Sequence, residues 1–364
     1  MIYLTPRENE IMQLIKKNPA ISQQEIADLL NIKRSSVAAH IKNLSSQGYI
    51  LGRQYVLRDE PYVVVVGGAN VDIVGYSDFK LIKNDSNPGR IIQSTGGVGR
   101  NIAENISRLN VRTSIISVIG DDDKGRFILN ELNSLGIESD SIFVMHDCNT
   151  SVYLAILDEN RDMDIAINDM EIINKLTPEL IEKKQRMIEN AICCIVDTNL
   201  TRETLEFLFK NINQKYFVDC VSVNKAEKLE GLLNNVYFLK ANKYEAEFLS
   251  KVKIDSLEDA KKSAKKIIEQ GVNSVVITMG DEGSLYADEK DMLHVSSNTM
   301  DIVNASGAGD AFMAGYVYSY IKDYKLTERM KFATASSRIA LMSEKTNSEK
   351  FTVKNIEGEV KNVK

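Results

Sequence analysis

The chain has 364 residues, 43% hydrophobic and 26% charged, which excludes intrinsic disorder, collagen-like repeats and a disulfide scaffold and suits roughly two domains. Its 45 basic and 51 acidic residues give a net charge of −6, an average that argues against a nucleic-acid partner. The average conceals a split: residues 1–60 hold eight basic and six acidic side chains, a net +2, and the remainder a net −8.

Cys148, Cys193, Cys194 and Cys220 lack CxxC spacing and read as buried thiols in a reducing compartment. His40, His146 and His294 lie too far apart in sequence to suggest a zinc set or histidine-based catalysis. No stretch approaches the ~20 apolar residues that span a bilayer, and the opening MIYLTPRENE lacks the character of a leader. The expectation is a cytoplasmic protein without a membrane partner.

Residues 4–58 read as three helices and an extended hairpin. Thr5-Pro-Arg-Glu8 is a capping-box start with Pro6 in the first turn, followed by Ile11, Leu14 and Ile15 at helical spacing. After Asn18-Pro19, Ser22 caps a second helix carrying Ile26, Leu29 and Leu30. Lys33–Gln47 forms a third, with Val37, Ile41 and Leu44 inward, and Tyr49–Leu57 alternates as a β wing. This order resembles a winged helix-turn-helix domain, here residues 1–60. The resemblance implies a DNA partner through residues 22–58, with the third helix as the reading element. That helix offers Lys33, Arg34, Ser35, Ser36, His40, Lys42 and Asn43, side-chain types that reach phosphates and base edges. From Leu29 to Arg58 there are five basic residues and no acidic one.

From Pro61 onward, short apolar strands alternate with amphipathic helices. Strands are expected at Tyr62–Val66, Ser114–Ile119, Ala191–Val196, Tyr216–Cys220, Val236–Leu239 and Ser274–Met279. Helices are expected at Asn101–Leu109, Lys124–Leu135, Pro178–Asn190, Arg202–Asn211, Leu257–Gln270 and Ala308–Ile321. The pattern predicts an α/β unit, residues 61–364, with a mostly parallel sheet covered by helices on both faces. Ligands of such sheets bind beyond the carboxyl ends of the strands. Extended segments at Arg90–Thr95 and Ser151–Asn168 interrupt the rhythm and suggest a small β lid, about residues 76–95 and 150–169. The tail from Lys345 to Lys364 is polar and is expected to be partly disordered.

There is neither a GxGxxG fingerprint nor a Walker A sequence. Two glycine-rich helix starts stand out instead. Gly96-Gly97-Val-Gly-Arg-Asn101 opens one, and Ser306-Gly307-Ala308-Gly309-Asp310 opens the other. Free amides and the helix dipole at such starts favour anions. An aspartate there would repel a phosphate, so it calls for a role of its own, and general-base duty supplies one.

Both starts match signatures of the ribokinase-like (PfkB) carbohydrate and nucleoside kinases, which residues 61–350 resemble. Between them, Asn242-Lys-Tyr-Glu245 matches the family's NxxE motif and Thr278-Met-Gly280-Asp-Glu-Gly283 its nucleotide-side turn. The resemblance implies a phosphotransferase using ATP and Mg2+. Asp310 would be the general base, Gly307, Ala308 and Gly309 an anion hole, and Asn242 and Glu245 the holders of the magnesium shell. Asn242, Thr278, Gly280 and Gly283 would meet the nucleotide. Asn70, Asp72, Gly96, Gly97 and Asn101 would bind ribose hydroxyls, and lid residues Asn168 and Asp169 a base edge. An ordinary Asp, ionised at neutral pH with a pKa of ~3.9, can serve a loose phosphoryl transfer.

The segments 96–105, Ala166–Met170, Val196–Leu200 and Val218–Ser222, together with Asn304, resemble pseudouridine kinases within the family. Asn304 stands where many relatives carry Asp, which puts a bound monovalent cation in doubt. Lid-to-lid homodimers are common in the family. Ribokinase or another sugar or nucleoside kinase stays open as an alternative. So does a transcription regulator whose kinase body senses a nucleoside.

Overall fold

The computed structural model describes residues 4–19, 21–50, 61–296 and 298–364. They fall into two compact units, Met1–Pro61 and Tyr62–Lys364.

The first unit holds helices Pro6–Lys17, Gln23–Leu30 and Arg34–Ser46. Thr5 with Glu8, and Ser22 with Glu25, cap the first two by exchanging side-chain and backbone hydrogen bonds. Asn31, in the left-handed conformation, ends the second helix. Ile11, Ile15, Ile26, Val37 and Leu44 are fully buried between the three. Lys33 caps the third helix rather than beginning it. Lys33, Arg34, Ser35, Ser36 and Lys42 are exposed on that helix and its cap.

The His40 Nδ1 lies 4.0 Å from the buried carboxylate of Glu8, with a third of its side chain exposed. Asn43 donates to the same carboxylate at 2.5 Å. Bonds from the Thr5 backbone, Asn43 and the Thr5 hydroxyl hold Glu8 below the usual carboxylate range. The Asn43 side chain thus reaches the first helix, although the residue stays exposed. Residues 51–57 of the expected wing, with Arg53 and Arg58, lie outside the described residues.

In chain order the larger unit has strands β1 (Tyr62–Val66), β2 (Asn70–Ser77), β3 (Gly89–Gly96), β4 (Arg112–Gly120), β5 (Glu138–Met145), β6 (Val152–Leu157) and β7 (Met163–Asp169). There follow β8 (Cys194–Asp197), β9 (Tyr216–Asp219), β10 (Phe238–Asn242), β11 (Ser274–Thr278), β12 (Ser284–Asp288) and β13 (Met292–Val295). Among the described residues, nine strands form one sheet in the order β13-β12-β11-β10-β9-β8-β1-β4-β5. From β11 to β5 every pairing is parallel, while β12 and β13 run antiparallel at one edge. Val64 and Val66 of β1 enter one core layer and Val63 and Val65 the other, the alternation of a sheet buried on both faces.

A second sheet, in the order β3-β2-β6-β7, makes up the lid. Its strand β2 was hidden in the sequence, since Asn70, Asp72 and Gly75 break any apolar run. Register places Ser94, Asp72, Tyr153 and Asn168 in one row on one face of this sheet. Asp169 pairs with Val152 beside Val71 and so belongs to the opposite face. Exposed Ile165 and Ile167 lie on that opposite face too.

Two expectations need correction. The helix expected over Pro178–Asn190 is two short ones, Pro178–Glu182 and Gln185–Asn190. The polar tail is ordered and ends in helix Val353–Glu359, with Phe351 and Ile356 fully buried and Val363 nearly so. Three well-spaced apolar residues anchor it despite its composition, and burying Phe351 alone contributes roughly 1.5–3 kcal/mol. Cys193, Cys194 and Cys220 are buried and in no disulfide, and burial pushes the Cys193 thiol up to about 12. Among the described residues no helix is long and apolar enough to cross a membrane.

Candidate active site

The helix Ala308–Ile321 begins after Gly307, whose φ of 79° is left-handed. A side chain there would also collide with the Thr346 carbonyl, 2.4 Å from an ideal Cβ. Glycine is required at this position on both counts. The turn leaves the first helical N–H groups without intrahelical partners. Asp310 stands in this first turn and is buried.

Three charged residues lie side by side at the carboxyl ends of adjacent parallel strands. Asp197 of β8 pairs in register with Asp219 of β9, and Asp219 with Lys240 of β10. Lys240 Nζ donates to Asp219 Oδ2 at 2.8 Å, both side chains being buried. The ammonium lies close to Gly309, 2.6 Å from where a Cβ would stand, so a side chain there would push the lysine aside. Burial opposes the charge on Lys240, but the Asp219 carboxylate wins and pushes its pKa up.

Burial, reinforced by the negative charge of Asp219, raises the Asp310 carboxyl to about 7. Lys240 and the Asn101 amide, which donates to Asp310 Oδ2 at 2.9 Å, pull the other way. The expectation of an unperturbed aspartate is thereby corrected: water is excluded from this carboxylate and a second one lies near it.

Asp197 has a different position in the row. It accepts N–H bonds from Gly68 at 2.9 Å, Gly99 at 2.8 Å and Asn199 at 2.9 Å. Its carboxylate thus fastens the end of β1 to the glycine-rich start of helix Val98–Arg108. Beside that start, Asn70 donates to Asp72 Oδ1 at 2.6 Å, and Asp72 rests against Gly96. Burial raises the Asp72 carboxyl, with Asn70 and Arg100 lowering it. Gly97 caps the helix.

On the other side of Asp310 lies a cleft of about 390 Å³ lined by Thr278, Gly280, Gly283, Ala308 and Gly309. Asn242 is in register with Thr278. Asn242 and Glu245 form a reciprocal capping box, with bonds of 2.7 Å from Asn242 N to Glu245 Oε2 and 3.0 Å from Glu245 N to Asn242 Oδ1. Glu245 is buried and burial raises its carboxyl, so nearby positive charge would be welcome. Among the described residues no cluster of three or more His, Cys, Asp or Glu is shaped to hold a metal. Magnesium, which binds through one or two carboxylates, waters and phosphate oxygens, fits such a partial site.

Asn304 Oδ1 accepts from Ser306 N at 2.9 Å, and its NH2 donates to the Glu344 carbonyl at 3.2 Å.

Asn101 thus bonds to Asp310, and Thr278, Gly280 and Gly283 line a cleft with Ala308 and Gly309, while the candidates of the third helix belong to the other unit. Sequence reasoning missed Lys240, Asp219, Asp197 and Tyr153. The signal for Lys240 was a lone charge in the otherwise apolar run Phe238-Leu-Lys-Ala.

Residues 60–351 match the model of the pfkB family of carbohydrate kinases, and residues 4–50 that of winged helix-turn-helix DNA-binding domains. The uncharacterized sugar kinase YeiI of Escherichia coli strain K12 is 38% identical over 94% of this chain and 95% of its own length. The pseudouridine kinase of the same organism is 36% identical over 84% and 98%. A carbohydrate kinase structure from Agrobacterium tumefaciens superposes with a TM-score of 0.75 at 25% identity, covering 83% and 98%. The chain belongs to the pfkB family, and its larger unit has the ribokinase-like α/β fold. It is a phosphotransferase with an alcohol acceptor, a sugar or nucleoside kinase preceded by a helix-turn-helix unit.

If Asp310 acts as a base, only its ionised form works, so kcat/KM should rise with pH through an acid limb near pH 7. Lys240→Gln removes a charge that lowers the Asp310 pKa and should move the limb to higher pH. A limb near pH 4, or one that Lys240→Gln leaves in place, would contradict this electrostatic account.

Proposed function

We propose that the larger unit phosphorylates the 5′-hydroxyl of pseudouridine with ATP, and that the first unit binds DNA. The observation that carries the kinase reading is the buried Asp310 at the Gly307–Gly309 turn, between the nucleotide cleft and the Asn70–Asp72 cluster. The hydroxyl oxygen forms its bond to the γ-phosphorus, its proton passes to Asp310, and ADP departs. Amides of Gly307, Ala308 and Gly309 receive the charge on the transferring group, and Lys240 beneath Gly309 adds positive potential. Asn242 and Glu245 would hold magnesium, which when bound neutralises phosphate charge.

Asp72 and Asn70, backed by Gly96 and Gly97, suit the vicinal ribose hydroxyls. Asn168 and Tyr153 share the Asp72 face of the lid, so they are the base contacts in this reading. Asp169, on the opposite face, leaves the substrate set. The choice of pseudouridine is supported by the 36% identity to the pseudouridine kinase of Escherichia coli strain K12 and by Asn304.

Given ATP and magnesium, a panel of pseudouridine, uridine, guanosine, inosine, ribose and fructose 6-phosphate should show the highest kcat/KM for pseudouridine. Faster turnover of any other member would sink the substrate assignment. Asp310→Asn should lower kcat by about 10²–10⁴-fold, and retained activity would remove Asp310 as the base.

For the first unit, the exposed Lys33, Arg34 and Lys42 are the phosphate contacts of the DNA reading. Titration of DNA from upstream of the protein's own coding region should show salt-sensitive binding. Each Ala substitution at these three should weaken it and flatten its salt slope by about one. Affinity indifferent to all three would mean that this helix does not contact DNA.

A further inference from the structure

Asn101 is implied to bind ribose, yet its side chain is already committed. Its Oδ1 receives Arg100 Nη1 at 3.1 Å and Asn347 Nδ2 at 3.3 Å. An amide with two donors on its oxygen must turn its NH2 to the other side, and there Asp310 Oδ2 accepts it at 2.9 Å. The donors are themselves fixed. Asn347 Nδ2 also donates to Glu104 Oε2 at 2.7 Å, and Asn105 Nδ2 donates to Asn347 Oδ1 at 3.3 Å. Glu104 is paired with Arg100 and takes Arg108 Nε at 2.8 Å.

Arg100, Asn101, Glu104, Asn105 and Asn347 are each at most 7% exposed. Burying an ion pair and three amides together is costly, and apolar side chains would fill the volume more cheaply. Asn347 comes from the loop after helix Leu326–Leu341, far in sequence from the other four, and of the five only Asn101 bonds to Asp310.

We propose that Asn347, together with Arg100 and Glu104, is a positioning set for Asp310: it locks the Asn101 amide so that its NH2 holds the carboxylate in one orientation. Asn101 thereby serves the base rather than the ribose. The proposal rests on the reading of Asp310 as the base.

A donor on the ionised carboxylate favours that form, alongside Lys240 of β10 and against the charges of Asp219 on β9 and Asp197 on β8. Releasing the amide should therefore make Asp310 harder to ionise. In Asn347→Ala the acid limb of kcat/KM should move to higher pH by about 0.5–1. At neutral pH kcat/KM should fall about two- to fivefold, with substantial recovery above pH 8.5 and a nucleoside KM within about twofold of wild type. A merely structural role would lower activity at every pH without moving the limb.

If Asn347→Ala does not fold, Arg100→Lys carries the same test, since it keeps the charge facing Glu104 and removes the planar donor to Asn101. A raised KM with an unmoved limb would make Asn101 a substrate ligand and overturn the proposal, as would no change in either. Full activity of Asp310→Asn would sink the base itself, a separate outcome. An inactive Asp310→Asn beside an unmoved limb in Asn347→Ala would sink only the positioning.

Discussion

One electrostatic conflict organises the larger unit: a carboxylate stands in the first turn of a helix whose free amides face an anion site. In the proposed mechanism Asp310 would repel the phosphoryl group that the Gly307–Gly309 amides receive. The fold answers from below, with Lys240 touching Gly309 and bonded to Asp219, so that positive charge lies under the turn while Asp310 is kept from water. The same burial that raises the carboxyl to about 7 makes it a better proton acceptor near neutral pH than a solvated aspartate. Glycine at 307 is the steric condition for the turn, through its backbone angle and its approach to the Thr346 carbonyl.

Sheet topology delivers these groups. Asp197, Asp219 and Lys240 sit in register on β8, β9 and β10, and the chain leaves each strand toward the same edge. Asp197 fastens the β1 end to helix Val98–Arg108, which carries Asn101 to Asp310. The lid adds a row of polar side chains, Asp72, Tyr153 and Asn168, on one face. Positioning and charge, rather than a covalent intermediate, are what phosphoryl transfer asks of a protein.

Much of this was legible in the sequence. The glycine-rich starts at Gly96 and Gly307 and the Asn242–Glu245 pair are local patterns, and local patterns survive in one dimension. The alternation of apolar strands and helices likewise announced a buried parallel sheet. Long-range pairings were not legible: Lys240 with Asp219 and Asn347 with Glu104 join segments whose register only the folded chain sets. Strand β2 hid because Asn70, Asp72 and Gly75 interrupt its apolar pattern. The tail was misjudged because composition averages over Phe351 and Ile356, the residues that anchor it.

The account turns on the ionisation of Asp310. Carboxyl-13C-aspartate-labelled protein, titrated by NMR with Asp310→Asn to assign the signal, reads that group directly. A midpoint near 7 is predicted. A midpoint near ~4, the value of a solvated aspartate, would contradict it.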